Sequence, residues 1–330
     1  MKFNPYIKIL KLLLSFNLCV QISQCEKNNL FKFNFSNITL KINRTGIIYF
    51  LNSSFKYNPD EIYINEQKEN NTINQYDFGQ RDNNVKLVWY NNINTSRYMF
   101  QGCSNITEID LSYFDTSLIT DMHRMFEDCS SLTSLNLTNI NILQVKTLER
   151  IFNGCKSLES LDLSYFNTMN VVNMNCVFRG CSKLRTLNLS NFNTSKVKRM
   201  ENMFEGCLSL ISLDLSNFDT SEIENIQWMF YNCFKLIYLN LSSFHIPKCT
   251  DMSQMFFNCS SLISLDLSFF DTSQVTDMYN LFNGCSNLTS LDLSNFNTSK
   301  VKIMDSMFEG CSSLISLDLS NFDTSEIENI

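Results

Sequence analysis

The chain has 330 residues, 44% hydrophobic and 18% charged, which is apolar content enough for a core and excludes wholesale disorder. Eight Gly and three Pro exclude a collagen-like or proline-rich chain. A formal net charge of −7 argues against a nucleic-acid binder, and two His (His123, His245) leave little room for His-based metal sites or general-base catalysis.

Residues 1–25 open with Lys2, Lys8 and Lys11 and carry a short apolar run at 12–20. The run is too short to span a bilayer, so a secretory signal peptide removed near residues 20–25 is expected. No later stretch is apolar enough for a membrane helix, so the chain is not expected to span a membrane. Sequons at Asn34, Asn37, Asn43 and Asn52 are candidate glycosylation sites and fit export. In residues 26–98, Phe31, Phe33 and Phe35 alternate, as do Ile38, Leu40 and Ile42. Further strands are expected at 47–51, 62–64 and 85–89, with a polar loop over 66–84. This reads as a small β-rich N-terminal cap over the first repeat.

From residue 99 a repeat governs the chain. Cys103, Cys129, Cys155, Cys181, Cys207, Cys233, Cys259, Cys285 and Cys311 each lie 26 residues from the next. Phe stands three before every one of them and Leu eight after. Such a period marks stacked repeats. Around Leu213-Asp214-Leu215 the pattern alternates as a short strand. Ile223, Ile226, Met229 and Phe230 then follow at helical spacing, behind Asp219, Thr220 and Ser221 as helix-capping residues. The residue before each ladder Cys is Gly, Asn or Asp, which suits a left-handed helix stop. The expected architecture is therefore an α/β solenoid of leucine-rich-repeat type, about nine 26-residue strand–helix units over residues 99–330. The last unit reads as incomplete and uncapped, which would suit a truncated chain or self-association through that end.

The ladder Cys lack the close pairing of a metal site and should point in parallel, so they are expected to be small buried core residues, a structural ladder. Cys176, in a variable column, reads as an exposed, reactive thiol. Asp110, Asp162, Asp214, Asp266, Asp292 and Asp318, with Asn between the earlier ones, should point outward from the strands. They form either a recognition face, for a basic protein or a divalent cation, or a solvated polar ladder. Tyr113, Tyr165 and Phe269 replace Asn or Ser beside that face and are candidate interface anchors. No nucleotide, hydrolase or zinc motif occurs, so no catalytic residue, cofactor or metal site is expected.

The segment MFEGCSSLISLDLSNFDTSEIENI at 307–330 resembles the BspA-like leucine-rich-repeat surface proteins in its M-F-x-G-C, L-x-x-L-D-L-S and F-[DN]-T-S motifs. The resemblance covers about 98–330. It implies a secreted or surface-exposed protein without enzymatic activity that adheres to an extracellular-matrix or cell-surface protein. The expectation is thus a protein-binding solenoid that uses its strand face and adjacent loops. The alternatives are a structural, self-assembling repeat or an intracellular scaffold.

Overall fold

The computed structural model describes residues 35–328, and the expected signal peptide and the Asn34 sequon lie outside them. Residues Ser36–Ile330 form one compact unit. Its N-terminal part is built from β1 (Ser36–Ile42), β2 (Gly46–Tyr49), β3 (Glu61–Ile64), β4 (Gln67–Lys68), β5 (Gln75–Phe78) and β6 (Asn83–Trp89). In β1 the alternation works as expected: Ile38, Leu40 and Ile42 are fully buried while Lys41 is exposed. Strand β1 pairs antiparallel with β6 on one side and with β7 (Ile106–Asp110), the first repeat strand, on the other. The backbone edge of β7 is thereby occupied, which removes an open template for aggregation. The polar stretch 66–84, expected as a loop, instead carries β4 and β5. Asn65 and Glu66, both at positive φ, make the tight hairpin turn into β4.

The repeats stack in parallel. Strands β7 and β8 (Ser134–Asn136), β9 (Ser212–Asp214) and β10 (Tyr238–Asn240), and β11 (Ser264–Leu265) and β12 (Ser290–Leu291) pair in register at 26 residues, Leu213 opposite Leu239 for example. A second parallel ladder runs through single bridges, from Asp121–Thr147 to Asp277–Ile303. The single bridges run through every rung from Asp121 to Ile303, including those in which no strand pair forms.

The strand–helix unit is not what forms. No helix occurs among the described residues, and the α/β solenoid expectation is overturned by a β-and-turn architecture. The reason lies in where the backbone donors go. Trp228, Phe230 and Asn232 donate their N–H groups to Ser253, Met255 and Phe257 of the next rung, at 3.0, 2.9 and 2.8 Å. The intervening Met229, Tyr231 and Cys233 close short turns onto Ile226, Trp228 and Phe230. Trp228 and Asn232 both sit at φ +61, so a left-handed residue interrupts the chain every fourth position and no i→i−4 run can propagate. The Gly/Asn/Asp column is left-handed, as its composition suggests, but it ends a turn. At Gly154 an added Cβ would lie 2.3 Å from Asp128 Oδ1.

Inside, like residues stack on like. Phe100, Phe126, Phe152, Phe178, Phe204, Phe230, Phe256, Phe282 and Phe308 form a column with ring centroids 5.5–5.8 Å apart. A buried threonine column braces successive rungs. The Thr220 hydroxyl donates to the His245 carbonyl at 2.8 Å and accepts the His245 N–H at 2.9 Å. Thr168, Thr272 and Thr298 do the same for Asn193, Asn297 and Asp323. This is the physical content of the repeated F-[DN]-T-S motif: Thr locks the next rung while the preceding Asp or Asn accepts the Ser N–H, as Asp219 does from Ser221.

Candidate functional site

The strand face is built by alternation. Leu213 and Leu215 turn inward and are buried, leaving Asp214 exposed between them. Its Oδ1 accepts the Ser216 N–H at 2.9 Å. Asp110, Asp162, Asp266, Asp292 and Asp318 each make the same turn with the Ser two residues on. Asn136, Asn188 and Asn240 reproduce it with their side-chain oxygens. The column therefore has a structural duty in every rung. The Ser amide and hydroxyl hold the Asp162, Asp214, Asp266, Asp292 and Asp318 carboxyls below the usual range. Neighbouring carboxylates push Asp266 and Asp292 the other way, more weakly. All five remain ionised at neutral pH.

Asp110 and Asn136 are joined directly, Asn136 Nδ2 donating to Asp110 Oδ1 at 2.9 Å. Asp266 and Asp292 leave the paired strands β11 and β12 in successive rungs. Between β8 and β9 the strand ladder lapses, and an open depression of about 460 Å³ lies there. Ser160, Thr186, Asn188 and Asp214 contribute its polar lining, Leu161 and Leu187 its apolar lining. Among the described residues, no group of three or more His, Cys, Asp or Glu side chains is placed to hold a metal ion.

Tyr113, Tyr165 and Phe269 are exposed at 73%, 48% and 54%. Their column shows what they give up. Asn217 Nδ2, at the same position, donates to the Leu189, Ser190 and Phe192 carbonyls of the preceding rung, and Asn321 does likewise to Leu293, Ser294 and Phe296. A Tyr or Phe cannot make these bonds and projects a ring instead.

The nine ladder Cys sit inside, Cys311 alone half-buried, and the eleven described Cys are all free. From Cys129 to Cys311 each thiol donates to the Phe carbonyl 29 residues before it at 3.1–3.2 Å. Burial pushes Cys103, Cys181 and Cys233 up to about 12, which keeps these thiols protonated and lets Cys181 and Cys233 donate. Cys176 corrects an expectation. It is buried, not exposed, and desolvation raises its pKa in spite of Arg150 and Arg179 nearby.

Of the described sequons, Asn43 lies exposed between β1 and β2. Asn37 is half-buried within β1. The Asn52 amide is engaged, donating to the Gln101 carbonyl at 2.8 Å and accepting the Ser54 N–H at 2.7 Å. Two features escaped sequence reasoning. One is the threonine brace, whose signal is the T in F-[DN]-T-S. The other is an exposed isoleucine column at Ile211, Ile237 and Ile263, visible as the fourth residue after the ladder Cys.

The repeat matches a family model described as Mycoplasma protein of unknown function, DUF285, in three tandem segments at residues 65–162, 149–265 and 250–330. The chain belongs to the DUF285 family. No curated protein matches it. The first DUF285 match begins beside β4, so β4, β5 and β6 fall inside the family's span. No described helix is long and apolar enough to cross a membrane.

Proposed function

We propose that this DUF285 protein is a non-enzymatic, secreted or cell-surface adhesion protein of the BspA-like kind. In this reading it binds an extracellular-matrix or cell-surface protein through its strand face. The observation that carries the reading is the substitution of exposed rings for ladder Asn at Tyr113, Tyr165 and Phe269. Tyr165 and Phe269 forgo the kind of bonds that Asn217 makes to the preceding rung, and exposed aromatics at such cost suit interface anchors. The flanking carboxylates add electrostatic steering toward a basic partner.

The test uses the column's own chemistry. Tyr165→Asn and Phe269→Asn restore the ladder, Tyr113→Asn removes only an exposed ring of the first rung, and all three should leave stability equal or higher. Binding of the full chain to immobilised matrix proteins should fall at least about tenfold in the triple variant. Equal binding by both proteins would overturn the reading. Surface labelling of intact cells tests the location, and protein reachable only after lysis would count against it.

A further inference from the structure

Away from the strand face, the ladder of single bridges carries a polar face whose charges change along the stack. Over the first five rungs its carboxylates pair with arginines of the same chain. Asp121 meets Arg97, Glu127 meets Arg150 and Glu205 meets Arg179, at 3.2, 3.5 and 2.8 Å. Arg199 is the last arginine of the sequence. Beyond it, Asp251, Asp277 and Asp305 follow in successive rungs, all half-buried. The ion pairs of this half lie elsewhere, Lys248 with Glu222 and Lys302 with Glu328. Burial, with the like charges of Asp251 and Asp305 added, raises the Asp277 carboxyl above its usual range, against the Tyr279 N–H that it accepts.

The repeat itself shows what such a carboxylate can hold. In the first rung the Arg97 guanidinium lies 4.7 Å over the Tyr98 ring and donates to Asp121 Oδ2 of the next rung at 3.2 Å. Five rungs on, the same three positions are Gln227, Trp228 and Asp251. The ring and the carboxylate are kept, and the arginine is exchanged for a neutral residue. Trp228 lacks the hydroxyl with which Tyr98 accepts from Arg97, but indole is the best ring for a cation. It is backed by a stack, Trp228 on Tyr231 at 4.9 Å and Tyr231 on Phe257 at 4.7 Å, all three half-buried. Asp251 spends Oδ1 on the Ser253 N–H at 2.9 Å, while Oδ2 has only a 3.5 Å contact with Asn225 Nδ2. One carboxylate oxygen is thus left to accept from a strong donor.

We propose that Trp228 and Asp251 form a guanidinium site, and that this face of the later rungs receives an arginine-rich segment of a partner protein. The segment brings from outside the cation that Arg97 provides from within. Asp277 and Asp305, one and two rungs further, offer carboxylates to its neighbouring cations. Arginine suits the site better than lysine, because a planar guanidinium stacks on indole while its N–H fork faces a carboxylate. The inference does not depend on the adhesion reading, whose residues belong to the other ladder.

The test titrates amidated hexa-arginine into the full chain in about 0.15 M salt, where long-range steering is screened. The chain has two Trp, and Trp89 is only 2% exposed, so a change in tryptophan emission reports Trp228. Emission should change saturably, and hexalysine should bind at least about tenfold more weakly. Gln227→Arg rebuilds the first-rung arrangement and should weaken hexa-arginine at least about tenfold with no loss of thermal stability. Asp251→Asn keeps an oxygen for the Ser253 N–H, so it should fold as wild type and also weaken the peptide at least about tenfold. Asp266→Asn, Asp292→Asn and Asp318→Asn together, on the strand face, should leave the affinity unchanged. Absence of binding, equal binding of hexalysine, indifference to Gln227→Arg or Asp251→Asn, or loss of binding in the strand-face variant would each overturn the proposal.

Discussion

Replacing Thr220 by Val tests the rung-bracing mechanism. Thr220 is 1% exposed, and its hydroxyl is the shared partner of the His245 N–H and carbonyl, at 2.9 and 2.8 Å. Val keeps the shape of Thr, so no cavity opens and the change is confined to hydrogen bonding. Leaving a buried donor or acceptor unsatisfied costs about 1–3 kcal/mol. His245 is exposed, so water can reach part of its backbone, and the loss should be near about 2 kcal/mol rather than the full sum for two groups. The readout is amide hydrogen exchange at His245, which should quicken by roughly ten- to hundredfold as the local opening energy falls. Thr220→Ser keeps the hydroxyl and should stay near wild type. Val exchanging like Ser would refute the brace and assign the column to packing alone.

Other predictions follow from the same columns. Thiol reagents should leave the ten buried Cys unmodified until the chain unfolds, Cys176 included, with fast labelling of any of them in the native protein as the contrary result. The buried thiols also fix an alkaline limit. For Cys181 the folded pKa is raised from 9.0 to about 12, so the folded state holds its proton longer than the unfolded state. That contribution is constant below about pH 9 and is lost as pH climbs from about 9 towards about 12, which denaturant midpoints across this window would reveal. Asn217→Ala removes three bonds to the preceding rung and should lower stability by about 1–2 kcal/mol in urea unfolding. At Gly154, Ala should cost more than Asn, since the site holds φ +72 and Asn occupies the same column at Asn232 and Asn258.

Much of the stack was legible because its causes are local. The period, the inward Leu and Phe columns, the left-handed Gly column and the strands near 62–64 and 85–89 all follow from residue type and spacing. The helix did not follow, and Ile223, Ile226, Met229 and Phe230 show why. Their spacing of three and four buries one face of a helix, but two consecutive left-handed turns bury the same four side chains. The decisive residues are those of the second left-handed column: Tyr98, Arg124, Arg150, Cys176, Asn202, Trp228, Gln254, Asn280 and Ser306. None is Gly, so composition carries no sign of their conformation. From Tyr98 to Asn280 it accompanies an N–H bond to the next rung, and Ser306 in the last rung keeps the same conformation. Cys176 was misread for the same reason, because a variable column suggested an exposed helix face where there is none. Likewise Ser221, which with Glu224 has the spacing of a capping box, donates to Asp219 instead, and the Glu224 N–H goes to the Lys198 carbonyl of the preceding rung.

Once the duty of each column is known, constancy and variation exchange their meaning in a repeat protein. The Asp column attracts attention as a carboxylate ladder, yet its Asn members make the same turn with the same geometry. Its regularity therefore reflects folding, and only its charge is left over for recognition. The two can be separated by Asp266→Asn, Asp292→Asn and Asp318→Asn. Each keeps a side-chain oxygen for the Ser268, Ser294 or Ser320 N–H, so denaturant unfolding should move by less than about 0.5 kcal/mol. Removing three successive negative charges should lower the association rate of a basic ligand such as polylysine at low salt and leave little difference at high salt. If the triple variant instead unfolds early, the carboxylates hold the turns through their charge. If it associates as fast as wild type at low salt, the ladder steers nothing, and recognition falls to the rungs that break the pattern.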